Sequence, residues 1–291
     1  MGQAKHITLY GAAHIDRCGR CFSKPELEKS NPGRFTNHSG GATWNVASGL
    51  ATLGANVTLH SIIGNDESGQ FLVNAASERS FEFDPQISTY KPTATYTSIL
   101  APNGELLIAL ADMEIYEEFD AEEISNEGWI LVDTNLPAAA ILKITGTDNN
   151  KTAAMTVSPA KAPKLQPALT MIDILFTNRA ELAALCSEDI EFGLPELISK
   201  FQKLGGKSAV ISNGADDIWT VDSNSEIEQH PVPQVSSIVD VTGAGDALAA
   251  GTLFELMASK PLAHSVQFGI KLAQAILEVD GAWRPDLKTL A

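Results

Sequence analysis

Short apolar runs that stop at glycine or a polar residue, each followed by a segment with helical spacing, recur along this 291-residue chain. That alternation limits it to a largely parallel sheet covered by helices on both faces. Ile7-Thr8-Leu9-Tyr10 reads as a buried strand ended by Gly11. Val46, Ala47, Leu50, Ala51 and Leu53 then repeat at helical spacing, and Gly54 stands where a C-terminal cap belongs. Val57 to Ile63 is the next strand, stopped by Gly64. Further strands are predicted over 128–132, 153–157, 172–176 and 208–211, with helices near 138–144, 180–185 and 195–204 between them. Two closing helices are predicted over 247–259 and 263–279.

Two stretches break the rhythm. Residues 16–39 are polar and rich in Gly and Pro, and 91–113 hold two β-prone runs around Asn103-Gly104, a strong hairpin signal. Segments 12–39 and 91–112 are therefore expected to form a small β-sheet, a lid, inserted in one domain spanning 1–291. No repeat, low-complexity tract, heptad or linker divides the chain.

With 44% hydrophobic residues the chain can bury a large core. Its 20 basic and 36 acidic residues give a net charge of −16, which opposes broad contact with nucleic acid or anionic membrane, so a bound phosphate must be held locally. The N-terminal residues lack the apolar core of a signal peptide, and no apolar stretch approaches ~20 residues, so a cytoplasmic location is expected. The three cysteines make no disulfide framework. Cys18-Gly19-Arg20-Cys21 has the spacing of half a zinc or redox motif but no second pair to complete it.

The stretch most specific about chemistry is Asp240-Val241-Thr242-Gly243-Ala244-Gly245-Asp246, followed by an alanine-rich run. Two glycines permit a tight turn with amides presented to an anion, and a helix starting there favours negative charge. Asp246, in its first turn, could accept a proton from a hydroxyl while the amides stabilise a transferring phosphoryl group. The same string also reads as a glycine turn with a capping aspartate. Gly40-Gly41 opens the earlier helix and lets a polar ligand approach the backbone, with Asn45 offering a donor and an acceptor. Asp16 is a candidate for holding vicinal hydroxyls, or a solvated loop carboxylate. Asn178 and Glu181 follow a strand and either serve Mg²⁺ through water and the phosphates, or cap a helix. Ser212-Asn213-Gly214 emerges at the same sheet edge, where a nucleotide would lie. Gly206-Lys207-Ser208 is no P-loop, because Phe201 stands where glycine is required and a strand follows. The Gly243/Gly245 pair is no dinucleotide fingerprint, because position 248 is Leu.

In order, Gly11 with Asp16, Gly40-Gly41 with Asn45, Gly64-Asn65-Asp66 with Gly69, Asn178 with Glu181, Ser212-Asn213-Gly214 and the Asp240 to Asp246 signature resemble the ribokinase-like, PfkB-type sugar and nucleoside kinases over almost the whole chain. The resemblance implies a three-layer α/β/α core with a β-sheet lid and ATP- and Mg²⁺-dependent phosphorylation of a hydroxyl. By the same analogy Asp246 is the general base and Gly243, Ala244 and Gly245 form the anion hole. Asn178, Glu181, Ser212, Gly214 and Thr242 serve ATP and its metal, and Asp16, Gly40, Gly41 and Asn45 hold the acceptor. Asp240 and Gly281, beside Thr242, would lie near the monovalent-cation (K⁺) site that some members use. Ser30-Asn31-Pro32-Gly33, the start of the Asn45 helix and Ala111-Asp112-Met113-Glu114-Ile115 are similar to the pseudouridine kinases of that family, which adds Asp112 to the acceptor group. Trp44 departs from that pattern, where a basic residue is expected, and either stacks on a base or packs under the lid. Thr43 stands where ribokinases carry lysine, which disfavours free ribose. The expected partner is a small nucleoside or sugar, with ribose or fructose as alternatives and a non-catalytic sensor as another class. An open lid sheet would also offer edges and an apolar face to a second copy.

Overall fold

The computed structural model describes residues 6–121, 124, 128–147, 150–235, 237–279 and 281–290. The chain runs through β1 (His6–Tyr10), β2 (His14–Cys21), β3 (Gly33–Gly40), α1 (Ala42–Thr52), β4 (Asn56–Gly64), α2 (Glu67–Glu78), β5 (Glu82–Ser88), β6 (Thr95–Leu100) and β7 (Leu106–Asp112). It continues through β8 (Trp129–Asp133), α3 (Ala138–Thr145), β9 (Lys151–Met155), β10 (Ile174–Asn178), α4 (Arg179–Leu185), α5 (Leu194–Lys203), β11 (Ser208–Ser212), β12 (Ile218–Val221), β13 (Ile227–His230), α6 (Ala244–Leu256) and α7 (Leu262–Leu277).

The main sheet has nine strands in the order β13-β12-β11-β10-β9-β8-β1-β4-β5. All are parallel except the β12–β13 edge. Alternation along the central strands sends successive side chains into two cores. Ile130 and Val132 of β8 pack with α3, α4 and α5, whereas Leu131 packs with α1, α2, α6 and α7. The three-layer α/β/α architecture follows directly. Among the described residues no helix is long and apolar enough to cross a membrane.

Four elements escape the sequence pattern. Helix α2 buries only Gly69, Leu72, Ala75 and Ala76, too few apolar positions to stand out, and is fixed by Asp66, whose carboxylate accepts from Gly69 N at 2.8 Å. The same carboxylate accepts from Thr93 N and Oγ1 at 2.8 and 2.6 Å, so the Gly64-to-Gly69 motif ties α2 to the chain entering β6. Strand β5 contains Pro85, which is tolerated because β5 is the sheet edge. Strands β12 and β13 have four residues each, below the length at which alternation is legible.

The second sheet has the order β3-β2-β6-β7, with β2 and β6 parallel and the other pairs antiparallel. Its hairpin turns through Ala101 to Gly104, where Gly104 N donates to Ala101 O at 2.9 Å and Gly104 takes the left-handed φ of 88°. Cys18 and Cys21 lie three apart on β2 and so face opposite sides, which separates the pair that spacing had brought together.

Candidate active site

The carboxyl ends of β1, β8, β9, β10 and β11 share one edge, where ligands of parallel α/β sheets bind. Helix α6 begins there at Ala244, three residues earlier than the apolar pattern alone suggests, with Gly243 as N-cap at a left-handed φ of 79°. A side chain on Gly243 would meet the Ala282 Cβ at 2.3 Å, so only glycine allows both the turn and the close approach of the C-terminal segment. A Cβ on Gly245 would meet nothing within 4 Å. The first turn of α6 is therefore an open cradle whose amides and helix dipole suit a phosphate.

Asp246 stands on that turn, half-buried, and its Oδ2 accepts from Asn45 Nδ2 of α1 at 2.7 Å. Burial pushes its carboxyl up to about 7. The hydrogen bond from Asn45 opposes that rise, and the negative charges of Asp133, Asp16 and Glu181 add to it. A carboxylate of that strength can take a proton near neutral pH and still bind it weakly enough to release it.

Asn45 is placed by the start of α1. Gly41, at φ 116°, precedes the helix, and a Cβ there would lie 2.4 Å from Ala12 O. A Cβ on Gly40 would lie 2.0 Å from Asp16 Oδ2, so the missing side chain is the space that Asp16 occupies. Asp16 in turn bonds His14 Nε2 at 3.1 Å, the two residues sharing one face of β2. Asp16, Gly40, Gly41 and Asn45 thus adjoin one another, with Asp246 beyond Asn45.

Asn178 and Glu181 form a complete capping box on α4: Asn178 Oδ1 accepts from Glu181 N at 2.9 Å and Glu181 Oε2 from Asn178 N at 3.2 Å. Glu181 is buried and also accepts from Thr156 Oγ1 at 2.5 Å. The capping alternative is therefore present in the geometry, at the same edge as Asp246. Ser212 pairs with Asn178 across β10 and β11, and Gly214 follows at φ 64°. Asp240 Oδ1 accepts from Thr242 N at 2.9 Å and Oγ1 at 2.7 Å, and its Oδ2 from Gly281 N at 3.2 Å. Burial alone would raise the Asp240 carboxyl, but these bonds and one from Val241 hold it below the usual range. These bonds tie the segment entering α6 to the segment leaving α7, beside the Gly243 turn. Among the described residues no three or more His, Cys, Asp or Glu gather into a group that could hold a metal ion.

Asp112 is not brought to this group. It faces Thr95 across β6–β7, and Thr95 faces Ile15 across β2–β6, while Asp16 faces Tyr96. Cross-strand partners share a face, so Asp112 lies on the side of the small sheet opposite Asp16. Trp44 is fully buried, edge-on to Phe81 at 4.9 Å and Phe83 at 5.5 Å, so it packs in the core beside β5 of the main sheet and has no face free for base stacking. Sequence reasoning missed Asp133, Asn135 and Lys161. Asp133 directly follows the apolar run ending at Val132, and a polar residue at the carboxyl end of a parallel strand was the available signal.

A family model described as pfkB family carbohydrate kinase matches residues 4–289. The chain belongs to the pfkB family. Over 304 residues this pfkB-family kinase is 29% identical to the pseudouridine kinase of Escherichia coli (strain K12), covering 99% of this chain and 95% of that protein. A carbohydrate kinase from Agrobacterium tumefaciens superposes with a TM-score of 0.86 at 32% identity, covering 98% and 95% of the two chains. The ribokinase of Arabidopsis thaliana, in a structure with ribose and ATP, superposes at 0.84 with 19% identity, covering 96% and 95%. The protein is thus a sugar or nucleoside kinase of the ribokinase fold, an ATP-dependent phosphotransferase with an alcohol acceptor.

Proposed function

We propose that the acceptor is a nucleoside, pseudouridine, phosphorylated at its 5′-hydroxyl, with Asp246 as general base. The observation behind the mechanism is the half-buried Asp246 carboxyl, raised to about 7 and held by Asn45 at the N-terminal turn of α6. Resemblance to the E. coli pseudouridine kinase over nearly the full length supports the acceptor. Asp16 and Asn45 orient the hydroxyl-bearing group, and the small sheet that carries Asp16 serves as a lid. Asp246 accepts the hydroxyl proton as the oxygen attacks the γ-phosphorus of ATP. The bond to the β,γ-bridging oxygen breaks, and the Gly243 to Gly245 amides stabilise the negative charge. Asn178 and Glu181 fit Mg²⁺ by the oxygen chemistry of their side chains, and the ion would supply charge neutralisation on the phosphates. Ser212, Gly214 and Thr242 flank the nucleotide, and the Asp240–Thr242–Gly281 loop is where a monovalent cation would act.

The outer face of the lid sheet exposes Phe35, Ile108 and Leu110, which a second copy of the chain would cover. Sedimentation equilibrium of the wild type and Leu110→Lys tests this, a dimer lost on substitution being expected. The acceptor is tested by an ATP-coupled screen of pseudouridine, uridine, adenosine, ribose and fructose. Turnover highest on pseudouridine is expected, and turnover on a free sugar with none on pseudouridine would overturn the assignment.

A further inference from the structure

Asp133 ends β8 at the centre of the main sheet and is fully buried. A carboxylate with no solvent exposure needs its hydrogen bonds supplied by the protein, and here they come from separate segments. Its Oδ2 accepts from Ala12 N at 2.9 Å, on the chain leading into β2 and Asp16, and from Thr43 Oγ1 at 2.5 Å, two residues before Asn45 on α1. Asn135 closes the group, donating from its backbone N to Oδ1 at 2.7 Å and from Nδ2 to Oδ2 at 3.3 Å. Asn135 Oδ1 then accepts from Lys161 Nζ at 2.6 Å, beyond the end of β9. Gly11 completes the arrangement: a Cβ there would lie 2.2 Å from Thr43 Oγ1 and 2.6 Å from Asp133 Oδ2, so glycine makes the room that the Thr43–Asp133 bond uses.

We infer that Asp133 is the positioning residue of the acceptor side, a buried anionic anchor joining the segment that leads to Asp16, the turn of α1 that carries Asn45, and the Asn135–Lys161 pair. The inference rests on the kinase reading above. It deepens that reading by giving the acceptor-binding segments a common anchor outside the motifs that marked the family. Asp133 also acts at a distance on the base. The charged groups around Asp246 are Asp16 on β2, Asp133 on β8 and Glu181 on α4, with Asn45 as its neutral partner. The groups around Asp133 are the Lys161 ammonium and the buried Tyr116 phenol, whose hydroxyl donates to Ala13 O at 2.9 Å. Removing the Asp133 charge leaves Asp246 easier to ionise.

The test is steady-state kinetics of the full chain with acceptor and ATP varied separately, at a series of pH values, for the wild type, Asp133→Asn and Thr43→Val. In Asp133→Asn an amide NH₂ faces groups that themselves donate, so the acceptor KM should rise about tenfold or more while the ATP KM changes by less than about twofold. The acid limb of kcat/KM should move to lower pH. Thr43→Val removes one hydrogen bond and keeps the charge, so it should raise the acceptor KM several-fold and leave the acid limb in place. An unchanged acceptor KM in either folded variant, an effect confined to ATP, or an unmoved acid limb in Asp133→Asn would overturn the inference. If Asp133→Asn does not fold, the acceptor KM of Thr43→Val decides. Wild-type turnover with unaltered variants would defeat this inference alone, whereas a wild type inactive on every acceptor would defeat the kinase reading together with it.

Discussion

Replacing Asp246 by Asn should abolish turnover and at the same time stabilise the protein, by an amount that depends on pH. Burial moves the Asp246 midpoint from 3.8 in the unfolded chain to about 7 in the folded one. The folded state therefore holds a proton that the unfolded state has already lost, and this group's contribution falls as pH rises from about 4 to about 7. Above that window the ionised carboxylate costs at most about 4 kcal/mol, and on the order of 2 kcal/mol once the half-buried site relaxes and takes up water. An Asn of the same shape carries no such cost. The stability gain of Asp246→Asn should be near zero at pH 4, rise through pH 5 and 6, and level off above pH 7. Urea unfolding of both proteins across that series measures it, and the wild-type acid limb of kcat/KM should have its midpoint near 7 in the same buffers. A gain that is equal at pH 4 and pH 8, or an acid limb centred near 4, would refute a base tuned by burial. Retained wild-type turnover would refute Asp246 as the base.

Three further perturbations follow from close contacts. Gly40→Ala puts a Cβ where Asp16 Oδ2 now lies, 2.0 Å away, so the acceptor KM should rise about tenfold with the ATP KM nearly constant in two-substrate kinetics. Gly243→Ala forces an L-residue to φ 79° and a Cβ into Ala282, so kcat should fall at least about tenfold, and denaturant titration should show a stability loss of at least roughly 1–2 kcal/mol from the backbone strain. Trp283 donates to Thr52 Oγ1 at 2.8 Å and lies against the Arg79 guanidinium at 4.9 Å, next to the Ala282 that packs on Gly243. Trp283→Ala should therefore cost about 2–3 kcal/mol of stability and lower kcat, read by urea unfolding and by turnover at saturating substrates.

Where local rules suffice, sequence and structure agree. Periodicity placed α1, α3, α4, α5 and α7 and the parallel strands of the main sheet other than β5, because each buries a regular stripe or run against a neighbour. Boundaries of β9 and β10 differ by two residues, which makes Asn178 the last residue of a strand and the cap of α4 at once. Helix α2, edge strand β5 and the β12–β13 hairpin stayed hidden because few apolar residues, an edge proline and very short strands weaken the pattern. In the site, glycine positions were readable as places needing space, but the object filling that space was not. It is Asp16 for Gly40, Ala12 for Gly41, the Thr43–Asp133 pair for Gly11 and Ala282 for Gly243.

Alone, the sequence determined the layered α/β class, the family and the phosphoryl-transfer signature from Asp240 to Asp246, since these depend on residue types at short spacings. Tertiary structure decided what those residues touch. Asn45 meets Asp246 across 201 positions of chain, Thr43 meets Asp133 across 90, and Asp112 and Asp16 part to opposite faces of one small sheet. Such contacts are set by strand order and register, which no local pattern encodes, and they fix the surroundings that raise the Asp246 carboxyl and bring Ala12, Thr43 and Asn135 onto the one buried carboxylate of Asp133.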